Sequence, residues 1–345
     1  LNLVFAYPGD LSLRTGGYGY DRRLIATFEA EGWQVRLLPL GDGFPAPTDA
    51  TRRAAEEALS SLADGQLVMI DGLAFGVLDD FAAREAGRLR LVALVHHPLA
   101  LETGLGPDEA MALRRSETRA LEHVRHIVVT SPETARELET GFGVGRDRIT
   151  VAVPGTDPAP QAAGSGGVPH ILSIGSLTRR KGHDILIAAL KQIEDLDWTA
   201  TIAGSRDLDP KAAAALDRQI GEAGLSGRVR LVGAVEDTDA LYAGADVFAL
   251  ASRYEGYGMV FAEALARGLP IVACRAGAVP DVVPQTAGTL VPVDDVSAFA
   301  DALRSLLSDH DLRRSKAAGA RAAGARLPDW RETGKIVSQM LERIA

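Results

Sequence analysis

Short apolar runs alternate with longer amphipathic stretches along the chain. In the first half the runs are "NLVFAY", "WQVRLLPL", "QLVMID", "LRLVALV", "HIVVT" and "RITVAV". Between most of them lie segments of helical period, such as "TDATRRAAEEALSSLA" and "PDEAMALRRSETRALEHV". A run that is apolar throughout, rather than at alternate positions, marks a strand covered on both faces. Such strands separated by helices predict a parallel sheet.

The rhythm breaks once. Residues 154–169, "PGTDPAPQAAGSGGVP", are rich in Pro, Gly and Ala, have no periodicity and read as a linker. It then resumes with "HILSIG", "WTATIAG", "RVRLVG", "DVFALAS", "LPIVAC" and "GTLVPV", and ends in an amphipathic segment, "LPDWRETGKIVSQMLERIA". The expected architecture is α/β: two doubly wound Rossmann-like domains facing a cleft and hinged near residue 160. In open sheets of this kind ligands bind beyond the carboxyl ends of strands, so the loops after strands are where chemistry is expected.

Composition narrows the function classes. The 345 residues are 46% hydrophobic, enough for packed cores, and carry a net charge of −9, which argues against nucleic-acid partners. The single cysteine, Cys274, lies in an apolar run and reads as a buried, inert thiol. There is no signal-peptide pattern and no apolar run long enough to cross a bilayer, so a cytoplasmic protein is expected.

The stretch "SRYEGYGMVFAEALARG" sets Glu255 and Glu263 eight positions apart around a Gly-Tyr-Gly turn. A strand ends before it and a helix follows. The amides of Gly258, Met259 and Val260 would be unpaired donors at a helix N-terminus, which suits a pyrophosphate. Phe261 and Leu265 would pack inward and Glu263 would lie on a polar face, reaching hydroxyls on one side of the phosphates, with Glu255 reaching those on the other. Ribose, pyrophosphate and a second polyol together make a nucleotide sugar. The bland reading is a dipole-favouring glutamate and a solvated one.

In "SIGSLTRRKGHDILIAAL", Arg179, Arg180 and Lys181 crowd a helix N-terminus, an unfavourable place for cations unless an anion sits among them. Lys181 is the best phosphate candidate; a solvated basic turn is the alternative. The loop carrying Gly16, Gly17 and Gly19 after the first strand lacks the third glycine of a dinucleotide fingerprint and reads as a flexible loop. His96 and His97 follow the strand "LRLVALV", where chemistry and packing are about equally expected. Arg114, Arg115, Arg119 and Arg125 read as a solvated helix face, or else as a weak membrane-surface contact. No C-x-x-C, H-E-x-x-H or G-x-S-x-G pattern supports zinc or acyl-transfer chemistry.

Over nearly its whole length the chain resembles the retaining glycosyltransferases of family 4, which have the GT-B fold. The resemblance is carried by "ASRYEGYGMVFAEALARGLPIVA", with the family's paired glutamates, by "GSLTRRKGHDILIAAL", by "LYAGADVFALAS" and by Asp329-Trp330 before the last helix. It implies an acceptor-side domain over residues 1–156, a nucleotide-sugar-binding domain over 157–326 and a helix over 327–345 that packs back on the first domain. It implies hexosyl transfer from a nucleoside-diphosphate sugar to an acceptor hydroxyl (glycan, lipid-linked or small molecule), with retention and without a metal or other cofactor. Glu263 would hold the ribose. Glu255 and the amides of Gly256, Tyr257, Gly258, Met259 and Val260 would hold donor sugar and phosphates. Lys181 would bind the pyrophosphate, and Gly17 would close over it. Val232, Gly233 and Val235 would hold the base through backbone. His96 would be the reactive-site histidine beside Glu255 and Lys181, with His97 where an Asp often follows. One departure is Ser176, where the family often has a phosphate-binding Arg; either Arg179 or Arg180 replaces it or the donor phosphates are held more weakly. The rival expectations are a nicotinamide-dependent oxidoreductase and a non-catalytic two-lobed nucleotide-sugar-binding protein.

Overall fold

The computed structural model describes residues 1–345 as two compact units. The first comprises Leu1–Gly155 together with Pro328–Ala345, and the second Thr156–Leu327.

The first unit holds strands β1 (Asn2–Tyr7), β2 (Gln34–Pro39), β3 (Leu67–Asp71), β4 (Arg90–Val95), β5 (His126–Val129) and β6 (Ile149–Val151). They pair in parallel in the order β2-β1-β3-β4-β5-β6. Helices α1 (Gly16–Ala30), α2 (Asp49–Ser60), α3 (Gly72–Phe75), α4 (Asp79–Glu85), α5 (Pro107–Glu122) and α6 (Pro132–Phe142) connect them. The second unit holds β7 (His170–Ile174), β8 (Thr199–Ala203), β9 (Val229–Leu231), β10 (Val247–Leu250), β11 (Ile271–Cys274) and β12 (Gly288–Val291), all parallel, in the order β12-β11-β10-β7-β8-β9. Its helices are α7 (His183–Gln192), α8 (Pro210–Glu222), α9 (Asp239–Ala243), α10 (Met259–Ala266), α11 (Val279–Val282), α12 (Val296–Ser308) and α13 (His310–Gly324). The last helix, α14 (Trp330–Ile344), belongs to the first unit.

All twelve apolar runs are strands, and burial explains their composition. β3 and β10 lie mid-sheet and are buried at every position, while β2, with Arg36 and Pro39, takes an edge and is largely exposed. No helix is long and apolar enough to cross a membrane.

Strand order locates each unit's ligand crevice. In the first sheet the chain winds outward from β1 to β2 and then crosses to β3, so the direction reverses between β1 and β3. In the second it reverses between β7 and β10. The loops beyond these two switch points are the expected ligand sites.

Three local expectations need correction. Gly16, Gly17 and Gly19 are not in a loop but form the first turn of α1, capped by the Thr15 hydroxyl, which accepts from the Tyr18 amide. The Pro/Gly/Ala segment does not hang free near residue 160. Gln161 donates to Ala266 O, the amides of Ala162 and Ala163 bond Arg267 O and Ala243 O, and Asp246 accepts from Ser165 and His170. The arginines of α5 are not one solvated patch: Arg114 binds Gly141 O and stacks on Phe142, and Arg119 pairs with Asp79 and Asp80.

Candidate active site

In the second unit the switch point brings together two loops far apart in sequence. After β7 the chain makes a single 3-10 turn, Arg179–Lys181, and enters α7 through Gly182 in the left-handed region (φ 65°). A Cβ on Gly182 would stand 1.9 Å from Ala251 O, so only glycine lets this turn lie against the end of β10. The loop after β10 is stitched to the turn by backbone and guanidinium. Arg253 N donates to Arg180 O at 2.8 Å, and Arg180 Nη1 donates to Tyr254 O at 3.1 Å. Arg253 grips both oxygens of Asp184, at 2.9 and 2.7 Å.

Glu255 is buried in this seam. It accepts from Lys181 Nζ and from Ser252 Oγ, both at 2.6 Å, and Arg180 lies 3.7 Å away. Burial pushes its carboxyl up, but the Lys181 and Arg180 charges more than reverse that, leaving it below the usual range. The solvated-loop reading of Glu255 is therefore wrong. Gly277, at φ 51°, backs the same residue: a Cβ there would meet Glu255 O at 2.3 Å. The Lys181 stem lies across Gly175, and the buried His183 ring bonds Gly175 O at 3.1 Å. Burial pushes that imidazole down to about 4, so it is neutral and structural.

The loop then enters α10 through Gly258, also left-handed (φ 91°). The amides of Gly256, Tyr257, Gly258, Met259 and Val260 donate to no atom of the chain. The Tyr257 ring is buried, so that residue offers its amide and not its side chain. A run of open donors at a helix N-terminus, beside Lys181 and Arg180, is built for an anion.

Glu263 departs from the sequence reading. It does lie off the buried face of Phe261, Ala262, Ala264 and Leu265, but the half-buried stripe it shares with Met259, Val260 and Ala266 is otherwise apolar. Glu263 is half-buried and accepts from the Tyr242 hydroxyl at 2.9 Å; burial raises its carboxyl against the pull of that bond and of Arg267. Arg267 in turn lies over the Tyr242 ring, 4.4 Å from its centre. Val232, Gly233 and Val235 follow β9 and are half-buried; Gly233 (φ 67°) accepts from Gly204 N, tying the ends of β8 and β9.

In the first unit a second cluster sits beyond β1, β3 and β4. His96 Nε2 lies 3.0 Å from Asp21 Oδ1 and 4.0 Å from Asp71 Oδ2. One ligand atom from each of the three residues lies within 4.8 Å of the others. Gly17, in the first turn of α1, covers the His96 ring: a Cβ there would meet its Cδ2 at 3.4 Å. The Tyr20 ring meets His96 edge-on at 5.5 Å. His97 turns away and pairs with Glu102 at 3.1 Å. The two histidines, just past the end of β4, thus have different partners. Sequence reasoning missed Asp21 and Asp71.

Two family models divide the chain. "Glycosyl transferases group 1" matches residues 168–309 and "Glycosyltransferase Family 4" matches residues 35–160. Among curated relatives, the D-inositol 3-phosphate glycosyltransferase of Xylanimonas cellulosilytica is 34% identical over 226 residues, 60% of this chain and 54% of that protein. The chain thus spans about half the length of that relative. The GDP-mannose-dependent alpha-(1-6)-phosphatidylinositol monomannoside mannosyltransferase of Mycolicibacterium smegmatis is 30% identical over 94% of this chain and 87% of its own length. Among solved structures, sucrose-phosphate synthase from Thermosynechococcus elongatus superposes with a TM-score of 0.84 at 22% identity, covering 99% of this chain and 98% of that one. Anabaena Alr3699/HepE, solved with UDP and glucose, gives 0.80 at 18% identity, covering 99% of both chains. Both structural likenesses speak to the fold.

Proposed function

The chain belongs to the family 4 glycosyltransferases, with the GT-B fold, and from that premise we propose that it transfers a sugar from a nucleoside-diphosphate sugar to an acceptor hydroxyl. The observation that carries the donor reading is the row of unpaired amides from Gly256 to Val260 beside Lys181 and Arg180. The diphosphate lies on those amides. Lys181 and Arg180 neutralise the charge that grows on it as the C1–O bond breaks, the effect of a preorganised site. Arg180 takes the place of the arginine that Ser176 does not supply. Glu263 receives a ribose hydroxyl, and Val232, Gly233 and Val235 address the base. Glu255, already holding Lys181, accepts from a donor-sugar hydroxyl.

The acceptor oxygen bonds to C1 on the face the diphosphate leaves, and its proton passes to a diphosphate oxygen, so configuration is retained and no metal is required. His96 offers a hydrogen bond to a sugar or acceptor hydroxyl. Two named relatives work on inositol-bearing acceptors, so inositol phosphates and phosphatidylinositol glycosides head the acceptor panel.

The test starts from donors. A panel of UDP-, GDP- and ADP-sugars is screened by thermal shift, since a ligand at a hundred times its dissociation constant stabilises by about 2.7 kcal/mol. The best donor is then incubated with the acceptor panel in EDTA, and the product's anomeric configuration is read by proton NMR. Stabilisation by a donor without turnover of any acceptor or of water would favour the binding-protein alternative. Stabilisation by NADH alone would favour the oxidoreductase.

A further inference from the structure

The first unit's switch point holds a polar cluster in which the proposed transfer gives a part to His96 alone and none to Asp21 or Asp71. Asp21 is fully buried, Asp71 nearly so, and His96 is largely covered. Asp71 Oδ1 is occupied, accepting from the Leu73 amide at 2.7 Å. Asp21 Oδ1 faces His96 Nε2. Asp21 Oδ2 is buried and receives no hydrogen bond. The Asp71 carboxyl belongs to the same cluster, with one oxygen of each carboxylate within 4.8 Å of the other. Two ionised carboxylates at this separation, out of water, repel strongly, and an unpaired buried carboxylate oxygen is costly. One proton placed between them removes both penalties.

We propose that Asp21 and Asp71 share a proton, and that the pair are positioning residues that hold His96 as an imidazolium with Nε2–H toward Asp21 and Nδ1–H outward. The cluster then carries one ionised carboxylate, one neutral acid and one cation, and is neutral overall, as its burial requires. The His96 Nδ1 atom makes no hydrogen bond within the chain, so it is the donor left for a substrate oxygen. Burial and the Asp21 charge push the Asp71 acid up to about 7, while burial lowers His96 and the two carboxylates more than restore it. The other titratable groups facing the cluster are Tyr18 and Tyr20 on α1. Their hydroxyls are bonded to Pro8 O and Ala152 O, and both phenols are pushed far above neutrality. Neither supplies or takes the proton near pH 7. The His96 carbonyl is held by Thr130 and Thr134, which fixes the backbone under the ring.

Only the use of the Nδ1–H in transfer rests on the proposed function. The proton pair itself is tested without substrate, on the full chain labelled with nitrogen-15 in the histidines. Wild-type His96 should show both ring nitrogens protonated at pH 6 and a step in its shifts near pH 7. Asp71→Asn supplies an N–H in place of the shared proton and still accepts from Leu73. It should keep the pH 6 signals and lose the step. Asp21→Asn should lower the His96 titration, since the Asp21 charge and its hydrogen bond both raise it. A step that survives in Asp71→Asn would overturn the proposal. So would broadening of the His96 signals by micromolar Mn2+ that Asp71→Asn abolishes, because the cluster would then be a cation site. Should Asp21→Asn fail to fold, Asp71→Asn decides alone. Transfer rates are a separate readout: a correct titration with transfer indifferent to it would leave the proton pair standing and remove His96 from the reaction.

Discussion

Lys181 Nζ lies 2.6 Å from Glu255 Oε1, joining the loops after β7 and β10 across the switch point of the second sheet. The cation assigned to the phosphates is thus already paired, and its partner is a buried carboxylate. Lys181→Ala should therefore do two things. Turnover should fall more than sugar recognition, since the charge matters most as the diphosphate departs. Stability should also fall, by about 2–3 kcal/mol, because Glu255 keeps only Arg180 and Ser252. Urea unfolding of Lys181→Met, Glu255→Gln and the double variant checks this. The double variant should regain much of the loss without regaining activity. Equal stability of Lys181→Met and wild type would contradict the pairing.

Glu263 binds the Tyr242 hydroxyl at 2.9 Å, so its removal is not neutral for the fold. Glu263→Ala should cost about 1 kcal/mol of stability and weaken donor binding. Glu263→Gln can still accept from Tyr242 and should lose affinity alone. Calorimetry with the preferred donor, beside thermal melts, separates the two. Unchanged affinity in both variants would remove the ribose role.

Glu117 gives the chain a pH dependence with a definite sign. Buried on α5, it accepts from the Leu99 amide, while its other oxygen has no partner, and burial pushes it up to about 8. A carboxyl whose folded pKa is raised gives stability that is complete below its unfolded value, near 4.5, and is lost as pH rises through about 8. Glu117→Gln should flatten that decline, gaining a few kcal/mol over wild type at pH 9 and little at pH 4. His183 works on the acid side. Its imidazole is pushed down to about 4, so its contribution is complete above 6.5 and is lost as pH falls toward 4. Melts of both proteins from pH 4 to 9 would show whether the alkaline slope belongs to Glu117.

Gly182→Ala should be among the most damaging single-methyl changes in the second unit. It adds a Cβ at 1.9 Å from Ala251 O, at a positive φ. The turn carrying Arg180 and Lys181 must shift or unfold, costing more than about 2 kcal/mol and lowering donor affinity together. Gly221→Ala on α8, where an added Cβ meets nothing within 4 Å, is the matched control and should be nearly silent.

The central strands were legible as nearly unbroken apolar runs, and β3 and β10 show why: every position is buried, whereas the edge strands β2 and β9 carry Arg36 and Arg230. The interlocking of the site was not. Lys181 and Glu255 stand 74 positions apart, and what brings them together is the β7–β10 adjacency, a property of strand order. The cluster in the first unit left a signal that went unused. Asp21 lies on the same helical stripe as the buried Leu24, Ile25 and Phe28, and Glu117 on that of Ala120, Leu121 and Val124. A carboxylate on an apolar stripe either points into the core or breaks the helix pattern, and here both point inward. The polar face expected for Glu263 failed for the converse reason. Met259, Val260, Glu263 and Ala266 form the half-buried stripe of α10, and Glu263 is the one polar residue on it.

The helix α14 is anchored to the first unit by its capping box at Asp329, by Thr333 Oγ1 on Val153 O at 2.8 Å, by Ser338 on Glu31 and by Trp330 against Tyr20. Gly155 and Gly334 allow the contact, since a Cβ on either would overlap Trp330 or Thr27. The first unit is therefore split in sequence, with the whole second unit threaded between its parts. During synthesis Leu1–Gly155 must wait for α14, made after the whole second unit, before the first unit is whole, whereas the second unit is complete as soon as Leu327 has emerged. A stalled or clipped chain lacking α14 would thus present a finished second unit and an open first one. The surface left bare would be the α1 face around Tyr20, Arg23 and Thr27, which is where a chaperone or a protease would find the unfinished molecule.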